Sequence, residues 1–251
     1  MNRIALATES EPTFTLPVKT ATPHTRITTA LRHLGRDCEA PYTTFTPIHY
    51  ERGYAYPLLI WLHGAASCER ELTQVMPHIS MRNYVAIAPR GTVVNRRFRG
   101  RYAWRQTNEA IELAQSRIAD CIAVAKRRFN VHPERIFLLG RDGGGTMAVR
   151  VAWNDPSRFA GIVTINGPLP TRLSPLRRVN ELRRVPCLLT TARDNESYPS
   201  DRVCRDLRLL HVAGCTVALR QYPCAEGLTN NMLADLDRWL MELVCGSAQA
   251  S

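Results

Sequence analysis

The segment 135–146, Arg-Ile-Phe-Leu-Leu-Gly-Arg-Asp-Gly-Gly-Gly-Thr, constrains this chain more than any other. Four apolar residues, Ile136 to Leu139, stop abruptly at Gly140-Arg141-Asp142-Gly143-Gly144, and a helical pattern follows at once. A strand passes into a helix over so few residues only through a tight turn. Glycine serves such a turn because it lacks the Cβ that would collide there. The side chain at the apex, Asp142, is lifted clear of the backbone. A strand, turn and helix joined in this way belong to an α/β sheet, and the raised side chain marks a candidate site.

The rest of the chain repeats the alternation. Strands are predicted at Thr44–His49, Leu58–Leu62, Tyr84–Ala88, Ile136–Leu139, Ala160–Ile165, Cys187–Thr191 and Thr216–Gln221. Several are continuous apolar runs, as parallel strands covered on both faces require. Helices are predicted at Asn108–Phe129, Gly143–Asn154, Ser200–His211 and Leu228–Val244. The first carries Ile111, Ala114, Ile118, Cys121, Ile122 and Ala125 at helical spacing. Ser200 is placed to cap the third and Gly214 to stop it, while Leu233, Leu236, Leu240 and Val244 share one face of the last. Such alternation implies a doubly wound, mostly parallel sheet flanked by helices, with right-handed crossovers. Functional groups in such sheets gather at the carboxyl ends of the strands.

A chain of 251 residues suits one such domain with a sizeable core. Residues 1–40 are rich in Thr and Pro and lack apolar periodicity, so they read as a flexible N-terminal arm. The domain is placed at 41–246 and a C-terminal tail at 247–251. Only about 20 residues separate Asn166 from the next strand, too few for a large helical cap domain.

Composition excludes more than it suggests. No apolar run approaches the roughly 20 residues of a membrane span, and the N-terminus is too poor in apolar residues for a secretory signal. A cytoplasmic protein is expected. None of the eight Cys forms a C-x-x-C pair, so a zinc site is not expected, and reduced thiols are. The net charge is +11, and among 33 basic residues only Lys19 and Lys126 are lysines. No nucleic-acid-binding motif accompanies the charge, so it reads as an arginine-preferring composition rather than as a sign of a nucleic-acid partner. The cluster Arg96, Arg97, Arg99, Arg101 and Arg105 reads as a solvated basic loop, with an anion site as the other reading.

Several ordered motifs now name a family. Leu58-Leu59-Ile60-Trp61-Leu62-His63-Gly64, Val85-Ala86-Ile87-Ala88-Pro89-Arg90-Gly91, the turn at Asp142, Asp155-Pro156-Ser157-Arg158-Phe159 and Asn166-Gly167-Pro168-Leu169-Pro170 follow one another at family spacing. Over residues 43–245 the chain resembles the phospholipase/carboxylesterase/thioesterase group of α/β-hydrolases, related to dienelactone hydrolases. The resemblance implies an α/β-hydrolase fold and a Ser, Asp, His triad in that order, acting on an ester-like small molecule without a cofactor. Asp142 stands at the nucleophile elbow in place of Ser. Counting back from Pro199 puts Asn195 at the acid position, with Asp194 one step away. Glu226 stands where the family carries His. The oxyanion donors would be the N–H groups of Gly143 and of Ala65 or Ala66. Trp104 and the His63 of the His-Gly turn are the candidate substrate-side residues, with core packing the other reading of Trp104 and a structural role that of His63.

Three functional readings follow. The chain is a degenerate, catalytically impaired esterase that keeps an acyl pocket, an Asp-nucleophile hydrolase using Asp142 with Glu226 as base, or a non-enzymatic binding or regulatory protein. If Asp142 and Glu226 lie together, they must share a proton, recruit an arginine such as Arg141 or Arg193, or bind a cation. No metal site is assigned.

Overall fold

The computed structural model describes residues 3–6, 40–94, 100–171, 178–224 and 227–248. Its centre is an eight-stranded sheet. The strands are β1 (Arg3–Leu6), β2 (Tyr42–Phe45), β3 (Tyr56–Leu62), β4 (Val85–Pro89), β7 (Val131–Arg141), β8 (Gly161–Ile165), β9 (Cys187–Ala192) and β10 (Val217–Tyr222). They lie in the order β1-β10-β9-β8-β7-β3-β4-β2, and every pairing is parallel except β2 against β4. A separate two-stranded ribbon joins β5 (Thr92–Val93) to β6 (Tyr102–Ala103).

Alternation along each strand divides the core in two, as the two-residue period of a strand demands. Leu58, Ile60, Leu62, Ile136 and Leu138 face one cluster, and Leu59, Trp61, Phe137 and Leu139 face the other. Helices α2 (Asn108–Arg128), α3 (Gly143–Asn154) and α5 (Ser200–Val212) supply the first cluster. Helices α1 (Glu71–Ile79) and α6 (Asn230–Ala248) supply the second. The short helix α4 (Val179–Leu182) precedes β9. Cys121 and Cys187 are buried as small hydrophobes, and Trp61, Trp153 and Trp239 are core residues. No helix among the described residues is long and apolar enough to cross a membrane.

The elements lie close to their sequence placement, with instructive exceptions. The first domain strand is Tyr42–Phe45 and not Thr44–His49: Pro47 has no N–H to give a ladder, and the chain turns at residues 48–49, with His49 at φ 60°. Ser200 does not cap α5: Pro199 holds the N-cap position, no side chain caps it, and Ser200 is the first helical residue. Gly214, at φ 72°, does stop α5. Residues 3–6, read as part of the arm, pair in parallel with β10, through backbone groups that carry no sequence pattern. The rest of the arm, residues 7–39, the arginines at 96, 97 and 99, and Glu226 lie outside the described residues.

Candidate active site

The turn after β7 brings Asp142 to φ 52° and ψ −124°, a conformation that a side chain occupies only when its surroundings force it. They do so on both sides. The Asp142 N–H donates to the Ile165 carbonyl at 2.8 Å, and the Thr146 N–H donates to the Asp142 carbonyl at 3.1 Å. The Asp142 side chain makes no capping bond to α3. One carboxylate oxygen lies instead 3.3 Å from Nη1 of Arg141. Relieving the strain at this position gives a direct prediction. Asp142→Gly should be more stable than Asp142→Ala by about 1–3 kcal/mol, measured by urea unfolding, because only glycine adopts this backbone without cost. Equal stabilities would mean that the turn carries no strain.

Arg141 belongs to a larger buried array. Its Nη2 donates to Glu71 Oε2 at 3.0 Å, and the Glu71 side chain is fully buried. Glu71 also accepts from Trp61 Nε1 at 2.9 Å and from the Gly64 N–H at 3.2 Å. Burial alone would raise the pKa of Glu71. The Arg141 charge and hydrogen bond, with donors from Ser67 and Trp61, hold it below the usual carboxylate value. Burial works against charge on Arg141 as well, yet Glu71 and Asp142 together raise its pKa. One arginine therefore links the elbow carboxylate to the loop after β3.

That loop is braced by His63, which is fully buried. Its Nε2 accepts from the Gly91 N–H at 3.0 Å, which leaves Nδ1 to donate to the Gly64 carbonyl at 2.9 Å. Burial lowers the pKa of His63, so the ring is neutral. Both ring nitrogens are engaged with backbone, so His63 holds the turn, and as a substrate-side residue it has no exposed atom to offer. Trp104 is buried too; its indole N–H donates to the His63 carbonyl at 3.1 Å. Of the proposed oxyanion donors, Gly143 opens α3, while Ala65 and Ala66 lie exposed in the loop, Ala66 at φ 53°. The Gly64 N–H is taken by Glu71.

A mostly parallel sheet, an apical residue at φ 52° between β7 and α3, and a braced loop after β3 together define the architecture. This is the α/β-hydrolase fold. No family model matches the chain, and no curated protein matches it in sequence. Solved structures do. A carboxylesterase from Mesorhizobium loti superposes with a TM-score of 0.68 at 18% identity, over 84% of this chain and 98% of that one. The Bacillus cereus carboxylesterase gives 0.65 at 15% identity, over 82% and 95%. The fluorophosphonate-binding serine hydrolase FphF of Staphylococcus aureus gives 0.62 at 11%, over 85% and 96%.

The remaining candidate positions of the hydrolase fold follow β9 and β10. Asn195 is 5% exposed, and its side-chain oxygen accepts from the Tyr198 N–H at 3.0 Å, closing a local turn. Asp194 is solvent-facing and pairs with Arg193 at 3.2 Å. The arginine beside Asp142 is thus Arg141, and Arg193 is engaged with Asp194. Asn166, named from the sequence as the start of a family motif and not as a site residue, is 2% exposed at φ 54°. Its Oδ1 accepts from the Ala192 N–H at 2.8 Å, and its Nδ2 donates to the Gly227 carbonyl at 3.3 Å. Asn166 therefore ties the carboxyl ends of β8 and β9 to the loop next to residue 226. The one signal for it was an Asn-Gly pair ending an apolar run. The loop cysteines Cys68 and Cys224 have thiols pushed up by burial, the opposite of a reactive thiolate. Among the described residues no group of three His, Cys, Asp or Glu side chains could hold a metal ion.

Proposed function

We propose that this chain is an esterase-fold protein that no longer performs serine-type acyl transfer and keeps its cleft as a binding site for a small ester- or acyl-like molecule. The observation that carries the reading is the pairing of Asp142 with Arg141 at the elbow. Acyl transfer through a hydroxyl needs a nucleophile that loses a proton to a base and a carboxylate that steadies that base. The elbow offers a carboxylate already neutralised by a guanidinium. The acid position offers the amide of Asn195, occupied in its own turn, and the position of the base falls to Glu226 by sequence. The pairing also argues against an Asp nucleophile, since a carboxylate bound to a cation is less ready to attack. The surroundings of the elbow support the reading, with the Trp104 carbonyl oxygen beside Gly143 and His63 bracing the turn after β3.

The reading is tested by mixing the protein with excess p-nitrophenyl butyrate, for intact-mass spectrometry, and with ethyl butyrate, for calorimetry. Saturable heat with ethyl butyrate and no added butyryl mass are expected. A butyryl group carried on Asp142 would contradict it, and so would the absence of any binding heat.

A further inference from the structure

At the end of the sheet opposite the elbow, a cavity of about 250 Å³ opens beside the first residues of β3 and the residues preceding β4. Its lining includes the rings of Tyr54 and Tyr56, Met241 and Val244 of α6, and two side chains of opposite charge, Glu51 and Arg82. We propose that this cavity binds a small zwitterion, its cation a methylated ammonium held by Tyr54 and Glu51, and its anion a carboxylate or phosphate held by Arg82.

Glu51 and Arg82 line one cavity yet do not pair. Neither side chain forms an ion pair or a hydrogen bond with a described residue. Exposed arginines without an ion pair occur elsewhere, as at Arg52 and Arg70. Arg82 differs from these in sharing its cavity with an acid it does not reach and with an exposed ring. The cavity lined by Arg135 and Arg184 also holds acids, but its Phe137 ring is buried. Both charges stand on turns that the backbone fixes. The Tyr54 N–H donates to the Glu51 carbonyl at 3.3 Å, and the Glu51 N–H donates to Tyr56 Oη at 3.2 Å. On the other turn the N–H groups of Arg82 and Asn83 both donate to Ser80 Oγ, at 3.3 and 3.2 Å. A ligand that bridges the two charges therefore does not have to order these turns first.

The ring chooses the cation. Tyr54 is 49% exposed, and its ring lies 4.7 Å from that of Tyr56 at 77°. Tyr56 is stacked in turn on Tyr50 at 5.2 Å and 27°. Tyr54 is thus held by its neighbours with part of its surface open, which suits a cation over its face. Glu51, on the same turn, adds a negative charge to that end. Met241 and Val244 bury the methyl groups of a methylated ammonium, whereas N–H groups would need acceptors that these side chains lack. The planar fork of Arg82 matches the paired oxygens of a carboxylate or a phosphate, and the Asn83 amide, also in the lining, supplies a further donor. The volume falls below the roughly 300–1,000 Å³ of pockets for drug-sized ligands, as a small zwitterion requires.

The test is calorimetric titration of the full chain with glycine betaine and with phosphocholine. Saturable binding of at least one is expected, and the tighter of the two identifies the anion. Tetramethylammonium and acetate each keep one of the two contacts and should bind at least about tenfold more weakly. Glu51→Gln, Arg82→Gln and Tyr54→Ala should each weaken the zwitterion about three- to tenfold at an unchanged unfolding midpoint. Arg70→Gln removes an exposed charge in the loop after β3, at the other end of the sheet, and should bind as wild type does. No binding of either zwitterion at millimolar concentration would overturn the proposal. So would binding that tetramethylammonium alone matches, binding that the Glu51 and Arg82 changes leave intact, or an equal loss in Arg70→Gln.

Discussion

Glu71→Ala should lower stability by about 3–5 kcal/mol, because it leaves the Arg141 guanidinium buried without its main partner. Arg141 has only 16% of its side chain exposed, and its Nε already lacks a hydrogen-bond partner. The same change orphans Trp61 Nε1 and the Gly64 N–H, so the loop after β3 loosens with the elbow. Urea unfolding measures the loss, and a change under about 1 kcal/mol would show that the array is not buried as described. The pH dependence follows from the same residue. The folded pKa of Glu71 is held below its ordinary value of 4.5, so the unfolded chain binds the proton more readily. The stability it contributes is present above pH 4.5 and is lost as pH falls through the lower folded value. Glu69 is shifted in the same direction: burial opposes the shift, and Arg90, donating from Nε at 2.7 Å, produces it. Wild type should therefore lose stability on acidification below pH 4.5, and Glu71→Ala should lose less over the same window.

Gly144→Ala should be about as damaging, at about 3 kcal/mol, for a steric reason. A Cβ at Gly144 would stand 2.4 Å from the Leu62 carbonyl oxygen and 2.5 Å from that of His63. Both obstacles are backbone, in a fully buried strand and its turn, so neither can swing aside. The helix α3 would have to move away from β3, and Asp142 would move with it. A lowered midpoint of thermal unfolding with unchanged secondary structure below it is the expected result. An unchanged midpoint would show that α3 and β3 are less closely apposed than described.

Much of this was legible in the chain. Continuous apolar runs such as Leu58–Leu62 placed the strands, and the abrupt stop at Gly140 placed the elbow, since both are consequences of local sterics and two-sided burial. What stayed hidden depends on contacts between distant residues. Helix α1 carries Leu72, Val75, Met76 and Ile79 on its buried face, yet Pro77 lies within it and breaks the usual helical signature. Glu71 is a single acidic residue in a polar stretch, and only the fold shows that it meets Trp61, Gly64 and Arg141. Asn166 is equally silent, because its partners lie on β9 and after β10. The pairing of Asp142 with an arginine was one of three outcomes left open, and no spacing rule could choose among them, as Arg141 and Arg193 both lie beside candidate site residues.

The central claim is that the elbow carboxylate is bound to Arg141 and does not turn over esters. The most direct test is the steady-state hydrolysis of p-nitrophenyl butyrate and of a butyryl thioester by wild type beside Asp142→Ala. The same background rate is expected in both. Turnover well above buffer in wild type that disappears in Asp142→Ala would contradict it and would make Asp142 a working nucleophile.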